Sequence, residues 1–201
     1  MYELLFDVVR YAALARSSWL LVGLARMLPV HLRARTRRWG IPELLALLEL
    51  FVFLALTGWL LTDSPALPAP TGTSWLAVVL GATSAWVGVL VSVWAIYTTV
   101  RGGVILDGGH FVKREHPLVT TGAYGFVRNP MYLGILLLWF GIAIAFRHAL
   151  LLLAAVGYVV PVFLLYIRSE DRMLAQEFGA PYEAYRRRVG SLLPRLRRSR
   201  A

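Results

Sequence analysis

Cysteine is absent from the 201 residues, which removes disulfides, thiolate zinc sites, iron–sulfur clusters and cysteine nucleophiles and leaves the redox compartment open. Charge is scarce as well. Acidic and basic residues make up 16% of the chain against 58% hydrophobic, too little polar surface for a water-soluble protein of this size. Lysine is nearly missing: Lys113 is the single example among 21 basic residues, so the formal net charge of +10 rests on arginine. In a soluble protein that balance would suggest nucleic acid. Here the arginines stand at the ends of apolar runs, which points to anionic lipid headgroups and away from nucleic acid. No internal repeat or low-complexity segment is present.

What is there instead is a series of apolar blocks, Leu44 to Leu61, Trp75 to Val100, Met131 to Phe146 and Ala149 to Ile167. Each approaches the roughly 20 residues that cross a bilayer. A further span is expected near Tyr11 to Val30, in an apolar stretch broken by Asp7, Arg10, Arg16 and Arg26. With Glu3 and Asp7 at its start and no small-residue cleavage site, that stretch is not expected to be a cleaved leader. The loop with His31, Arg33, Arg35, Arg37 and Arg38 ends at Pro42, and Glu43 suits the first turn of the next span through the helix dipole.

Residues 62–74 contain Asp63, Pro65, Pro68, Pro70 and Gly72 but no base, so the positive-inside rule places them outside the cytoplasm. The loop carrying Arg101, Lys113, Arg114 and Arg128 is then cytoplasmic, as is the basic tail after Ile167. Arg147 and His148 mildly oppose the rule, and they leave room only for a tight reversal between antiparallel spans. The expected fold is all-α: a polytopic membrane protein with about five transmembrane helices, a cytoplasmic loop and an amphipathic C-terminal helix. If the first segment only lies on the surface, four spans remain and the amino terminus moves inside. A division into residues 1–100 and 101–201 follows, the second part holding the long loop, the hairpin 130–167 and the tail. The tail sets Met173, Leu174, Phe178, Tyr182, Tyr185 and Val189 among charges, with an interruption at Gly179 to Pro181. Beyond them Arg186, Arg187, Arg188, Arg195, Arg197, Arg198 and Arg200 form a polybasic end suited to anionic headgroups.

The loop from Gly102 to Pro130 is long for so compact a chain, and long ordered loops tend to be functional. Gly122 and Gly125 permit positive φ or close ligand approach, and Pro130 suits the first turn of a helix whose exposed N–H groups favour an anion. Gly134 would admit a ligand or a neighbouring helix against its backbone. His116 alone reads as either a loop hydrogen-bonder or a catalyst, and Arg128 alone as an interfacial anchor. His110 and His116 lack a carboxylate or cysteine set at ligand spacing, so no metal site is expected.

Two blocks taken together resemble the isoprenylcysteine carboxyl methyltransferase and phospholipid methyltransferase group of membrane enzymes. The first is H-P-L-V-T-T-G-A-Y-G-F-V-R-N-P-M-Y-L-G, from His116 into the hydrophobic hairpin. The second is R-S-E-D-R-M-L-A-Q-E-F-G-A-P-Y-E-A-Y-R-R-R-V-G-S-L-L-P, from Arg168 to Pro194. The resemblance implies S-adenosylmethionine as methyl donor, bound on the cytoplasmic side between the loop and the helix after the hairpin. By matching position, His116, Leu118, Gly122 and Tyr124 line the donor, Arg128, Asn129, Pro130 and Tyr132 close the pocket, and Glu170 and Asp171 form the acidic pair. Two departures stand out: Asn129 in place of the family's histidine in Arg-His-Pro, and Asp171 in place of a second glutamate. Asparagine cannot act as a base at neutral pH, so no mechanism requires a titrating group there.

Methyl transfer from a sulfonium is an in-line displacement, so the protein mainly aligns the reactants and excludes water. Glu170 suits the donor's ammonium or ribose hydroxyls, and the planar fork of Arg168 suits an acceptor carboxylate or phosphate. These two are the candidate catalytic residues. An amine or thiol acceptor would have to lose a proton, with His116 or Glu170 as base. The acceptor is expected to be lipophilic: a prenylcysteine-like carboxylate, an isoprenoid, a phospholipid amine or a thiol. The location expected is the inner membrane, with the C-terminus cytoplasmic. Two other readings stay open: a sterol-reductase-like enzyme using NADPH, and a non-catalytic lipid-binding scaffold for which Asn129 is the one support. Glu49, an acid at bilayer depth, either serves function or pairs with Arg16. Trp75, Trp86, Trp94 and Trp139 read as packing residues and interface anchors.

Overall fold

A computed structural model describes residues 4, 6–18, 21, 41–61, 74–103 and 117–195, with side chains of the second of these helices given from 48 to 59. Helix α1 covers 6–18, α2 Ile41–Leu61, α3 Trp75–Arg101, the single turn α4 Ala123–Phe126, and α5 Pro130–Phe146. Helix α6, Ala149–Ala154, runs through a π-helical turn, Ala155–Val159, into α7, Val160–Phe178, and α8 is Ala180–Arg188. The described residues are thus all helix and loop apart from one parallel bridge, Val127 with Gly190.

Two of these helices, Trp75–Arg101 and the continuous Ala149–Phe178, are long and apolar enough to cross a membrane; Leu48–Trp59 and Pro130–Phe146 are shorter apolar stretches. The chain is therefore an all-helical protein with two membrane-span candidates among the described residues. Part of the first expected span, the arginine loop at 33–38 and the proline-rich connection at 62–73 lie outside those residues. Helix is already in place at Phe6, five residues ahead of the expected Tyr11.

Helices α3 and α5 pack antiparallel through small residues. Gly81, Ala85, Gly88 and Ser92 recur at spacings of four and three, which aligns them on one face of α3. Gly134, Gly141 and Ala145 do the same on α5. A methyl group on Gly81 would come within 2.5 Å of the Ala145 amide nitrogen, and one on Gly141 within 2.6 Å of the Gly81 carbonyl. The backbones therefore meet directly, as membrane helices do when there is no water to expel and packing supplies the attraction. The Ser84 hydroxyl adds a bond across the seam to the Leu137 carbonyl at 2.9 Å. Gly134 meets Gly88 and Ser92 of α3, so it admits a neighbouring helix.

The hairpin between α5 and α6 turns at Arg147, the one non-glycine residue with positive φ (48°) among the described residues, and His148, as the short connection requires. The π-helical turn has a covalent cause. Pro161 has no N–H to donate to the carbonyl four residues back, and its ring crowds that carbonyl, so a wider turn relieves the clash. Past Ile167 no glycine or proline occurs until Gly179, and the last span continues without a break to Phe178. The tail is thus the rigid extension of a span rather than a separate helix, and the break at Gly179 falls where the sequence interrupts the pattern.

Helices α1 and α2 lie against this framework. The Arg16 guanidinium meets the Glu49 carboxylate at 2.7 Å, with both side chains under a tenth exposed. Trp139 Nε1 donates to the same carboxylate at 3.2 Å, and Arg16 lies over the Phe53 ring at 4.7 Å. Glu49 therefore has its charge partner in Arg16. Trp86 donates to the Val8 carbonyl at 2.9 Å and Trp139 is wholly buried, whereas Trp75 and Trp94 are exposed along α3. The core runs through Phe53, Leu138, Trp139, Ile142, Val159 and Phe163.

Candidate functional site

The candidate site lies at the end of the bundle where α3 stops, α5 starts and α7 projects beyond its apolar run. Gly122 sits at φ 57°, ψ −131°, a backbone region in practice restricted to glycine, and this reversal starts α4. A Cβ there would strike the Thr98 side chain. The turn is thus pressed onto α3, where the Ala123 amide bonds the Thr98 hydroxyl at 3.4 Å and the Tyr124 and Thr99 hydroxyls lie 3.0 Å apart. From the other side, the Tyr185 hydroxyl of α8 donates to the Tyr124 carbonyl at 2.7 Å.

The next residues are gripped from the C-terminal side. The amides of Arg128 and Asn129 donate to the carbonyls of Gly190 (2.8 Å) and Ser191 (3.1 Å), forming a short strap against residues 190–191. Arg128 Nη2 meets Asp171 Oδ2 at 2.9 Å and Nη1 donates to the Arg186 carbonyl at 3.2 Å. The other Asp171 oxygen accepts from the Tyr182 hydroxyl. Asn129 is buried and its amide bonds the Ser191 hydroxyl at 3.0 Å. Pro130 is buried at the start of α5, the position its missing N–H suits.

One turn into α5, Tyr132 stacks obliquely on Phe163 (ring centroids 5.3 Å) and Tyr166 (6.3 Å) of α7. Glu170 continues the same α7 face and lies within hydrogen-bonding range of the Tyr132 hydroxyl. Its negative charge is also felt at Tyr124 and Tyr182. Burial raises the Tyr124 hydroxyl above its ordinary value; the Thr99 bond opposes this and Glu170 adds to it. Tyr182 is pushed far up by burial and by the Asp171 carboxylate it donates to, against a smaller pull from Arg128. Burial likewise drives Tyr185 far up, with Arg128 opposing. All three are neutral phenols at physiological pH, fit to donate and unable to act as bases.

Of the residues expected at the site, Gly122, Tyr124, Arg128, Asn129, Pro130, Tyr132, Glu170 and Asp171 are gathered here. Leu118 is half-buried at the edge of the loop. His116 lies outside the described residues, as does His110. Arg168 is exposed. It stands two positions from Glu170, about 200° around the helix, so it faces away from the aromatic corner. Both terminal nitrogens of Arg128, the Asn129 amide nitrogen and both Asp171 oxygens are engaged by protein partners, and Arg128 Nε is buried without one among the described residues. Thr98, Thr99, Phe163, Tyr166 and Ser191 were not among the expected residues. Phe163 and Tyr166 were legible in principle, since they precede Glu170 by seven and four positions and so share its face. The two threonines and Ser191 carry no sequence signal; only the fold brings them in.

Chemically, a carboxylate half-withdrawn from water beside three aromatic rings suits a poorly hydrated cation, attracted by both the charge and the ring faces. Among the described residues no group of three or more His, Cys, Asp or Glu side chains assembles as a metal site.

A family model described as phospholipid methyltransferase matches residues 76–181, from the first turn of α3 to the start of α8. Methanethiol S-methyltransferase 2 of Bradyrhizobium diazoefficiens is 45% identical over 74 residues, covering 36% of this chain and 27% of that protein. Protein-S-isoprenylcysteine O-methyltransferase of Saccharomyces cerevisiae is 36% identical over 95 residues, 42% of this chain and 37% of its own length. A probable protein-S-isoprenylcysteine O-methyltransferase of Oryza sativa is 28% identical over 120 residues, 60% of this chain and 62% of its own. The chain thus spans less than two thirds of each of these three relatives.

Proposed function

The chain belongs to the phospholipid methyltransferase family, and from that premise we propose that it is an integral membrane methyltransferase. In this reading it takes its methyl group from S-adenosylmethionine and delivers it to a lipophilic acceptor at the cytoplasmic rim of the inner membrane. The observation that carries the reading is the convergence of Glu170 with Tyr132, Phe163 and Tyr166 beside a loop turned by Gly122 and Tyr124. The donor's chemistry fits that residue set: its sulfonium and ammonium are the cations that a screened carboxylate and ring faces favour. When bound, S-adenosylmethionine supplies a methyl group on positive sulfur, ready for in-line displacement.

The chain's own residues do the rest. Glu170 holds the donor's cationic end, and the rings of Tyr132, Phe163 and Tyr166 exclude water from it. The Gly122–Tyr124 turn, with Leu118 on its approach, orients the donor, Arg128, Asn129, Pro130 and Asp171 hold the walls, and His116, earlier in the same sequence motif, is a further donor-lining candidate. Arg168, exposed where the last span leaves its apolar run, offers its fork to an anionic acceptor head arriving along the bilayer. A carboxylate needs no base. A thiol or amine needs one, and Glu170 or His116 serves. The acceptor class is a prenylcysteine-like carboxylate, an isoprenoid, a phospholipid amine or a thiol; the relatives' names support a carboxylate or a thiol. Exposed Arg186, Arg187 and Arg188 on α8 suit anionic headgroups and a cytoplasmic C-terminus. The reductase alternative finds no support among these relatives. The scaffold alternative rests on Asn129 alone, whose amide is engaged by the Ser191 hydroxyl.

Isothermal titration of the purified full chain is expected to show S-adenosylmethionine binding where NADPH shows none. Incubation with methyl-labelled donor and a bacterial lipid extract, or with a prenylcysteine or methanethiol, is expected to yield a labelled product. Folded protein that binds NADPH and not the methyl donor would overturn the reading.

A further inference from the structure

Glu170 and Asp171 are neighbours in sequence but not in surroundings. Successive helical residues point about 100° apart, and here that rotation carries the two acids into different company. Both Asp171 oxygens are engaged by protein, one by Arg128 at 2.9 Å and the other by the Tyr182 hydroxyl, and the side chain is only 20% exposed. Its charge is matched by a guanidinium whose own side chain is 8% exposed. An acid so balanced has little field left for a ligand. Glu170, seven positions after Phe163 and four after Tyr166, lies instead on the α7 face whose rings pack on Tyr132.

The groups that hold Asp171 also hold the loop. Arg128 reaches the Arg186 carbonyl of α8, its amide and that of Asn129 bond residues 190 and 191, and Tyr185 holds the Tyr124 carbonyl. The portion of α7 beyond Ile167 extends past the apolar run, downstream of the π-helical turn and Pro161, features at which helices change direction. The bond to Asp171 lies on this projecting portion, so it sets the roll of α7 against the loop.

We infer that the two acids have separate roles, Asp171 as a positioning residue clamped by Arg128 and Tyr182 so that Glu170 faces the aromatic corner, and Glu170 as the one that meets the ligand. Helix α8 and residues 190–191 are then part of the site's framework, although the family match ends at residue 181, before Tyr182. This division rests on the donor site proposed above, and its test separates the two.

The test uses the full-length protein in lipid nanodiscs, with wild type, Glu170→Gln, Asp171→Asn, Asp171→Glu and Tyr182→Phe. Amide hydrogen exchange is read at Arg128 and Asn129 without donor, and donor affinity is read by titration. Glu170→Gln is expected to weaken S-adenosylmethionine binding at least tenfold while leaving exchange at 128 and 129 as in wild type. Asp171→Asn is expected to speed exchange at both amides and to weaken donor binding. Asp171→Glu, which keeps the charge for Arg128, is expected to recover most of both. Lost donor affinity in Asp171→Asn with wild-type exchange would make Asp171 a direct ligand and overturn the division, as would wild-type behaviour in both readouts or a glutamate that rescues neither. Should Asp171→Asn also lose protection through α3 and α5, Tyr182→Phe decides: faster exchange at 128 and 129 supports the clamp and unchanged exchange overturns it. Failure of the wild type to bind donor sinks the proposed function, while the donor-free exchange still judges the clamp.

Discussion

Arg168 and Glu170, two positions apart on α7, stand in different surroundings. The sequence places both at the head of the same motif, and the structure puts about 200° of helix rotation between them. Glu170 is half-buried by the tyrosines, and Arg168 faces outward at the end of the span. Arg168→Ala is therefore expected to leave donor affinity within about twofold of wild type, because the side chain faces away from the corner proposed for the donor. For an anionic acceptor it is expected to raise KM by about tenfold, the rough loss of one charge-assisted bond of 1.5–3 kcal/mol partly replaced by water. Steady-state kinetics with varied acceptor, beside donor titration, check both. Glu49 makes a related point. A lone acid among apolar blocks invites a functional reading, yet its carboxylate is taken by Arg16 and Trp139. Burying that pair costs desolvation, and what it secures is the placement of α1 and α2 on α5.

At the level of elements, the seam between α3 and α5 is the most constrained contact. Gly88 lies directly against the Gly134 carbonyl and the Leu138 amide, backbone that cannot rotate away. Gly88→Leu is expected to force the helices apart and to destabilise the fold by about 1–3 kcal/mol or more, as overpacking does. Because α3 also carries Thr98 and Thr99 to the loop, donor binding is expected to weaken with it. A reference change on the exposed face, Leu90→Ala, is expected to do neither. Thermal unfolding in detergent and donor titration give the comparison. The α7–α8 break works in the opposite sense. Gly179 at φ 57° stops a helix that would otherwise continue, and the chain turns so that Tyr182 reaches back to Asp171.

Over the whole molecule, three tyrosines, Tyr182 and Tyr185 buried and Tyr124 half-buried, tie the loop, α3, α7 and α8 together, and their ionisation sets an alkaline limit. Tyr124, Tyr182 and Tyr185 all titrate above the ordinary 10.0 in the folded state. Above about pH 10 the unfolded chain sheds these protons while the folded chain keeps them, so the unfolded state binds fewer protons and stability falls as pH rises. The contribution is fully present below pH 10 and is lost progressively through the alkaline range toward the raised folded values. Unfolding midpoints measured from pH 8 to pH 12 are expected to be level up to about 10 and then to decline. Tyr182→Phe is expected to decline less steeply, and an equal slope would refute the assignment.

Periodicity, composition and punctuation were enough to read the helices. Apolar blocks too long for a soluble core gave Trp75–Arg101 nearly to the residue, Pro130 marked a helix start because it needs no donor there, and the two residues Arg147 and His148 left only a tight hairpin. These are local properties, written in consecutive residues. The Glu170 region was legible through the quoted motifs. Two things were not local and so were not legible: that both Asp171 oxygens go to Arg128 and Tyr182, and that Asn129 bonds Ser191. A charged or amide side chain reads the same in sequence whether it meets a ligand or a distant segment of its own chain. Which of these holds depends on the rotation of α7 and on the return of residues 190–191 to the loop, and both are settled by packing between segments far apart in sequence.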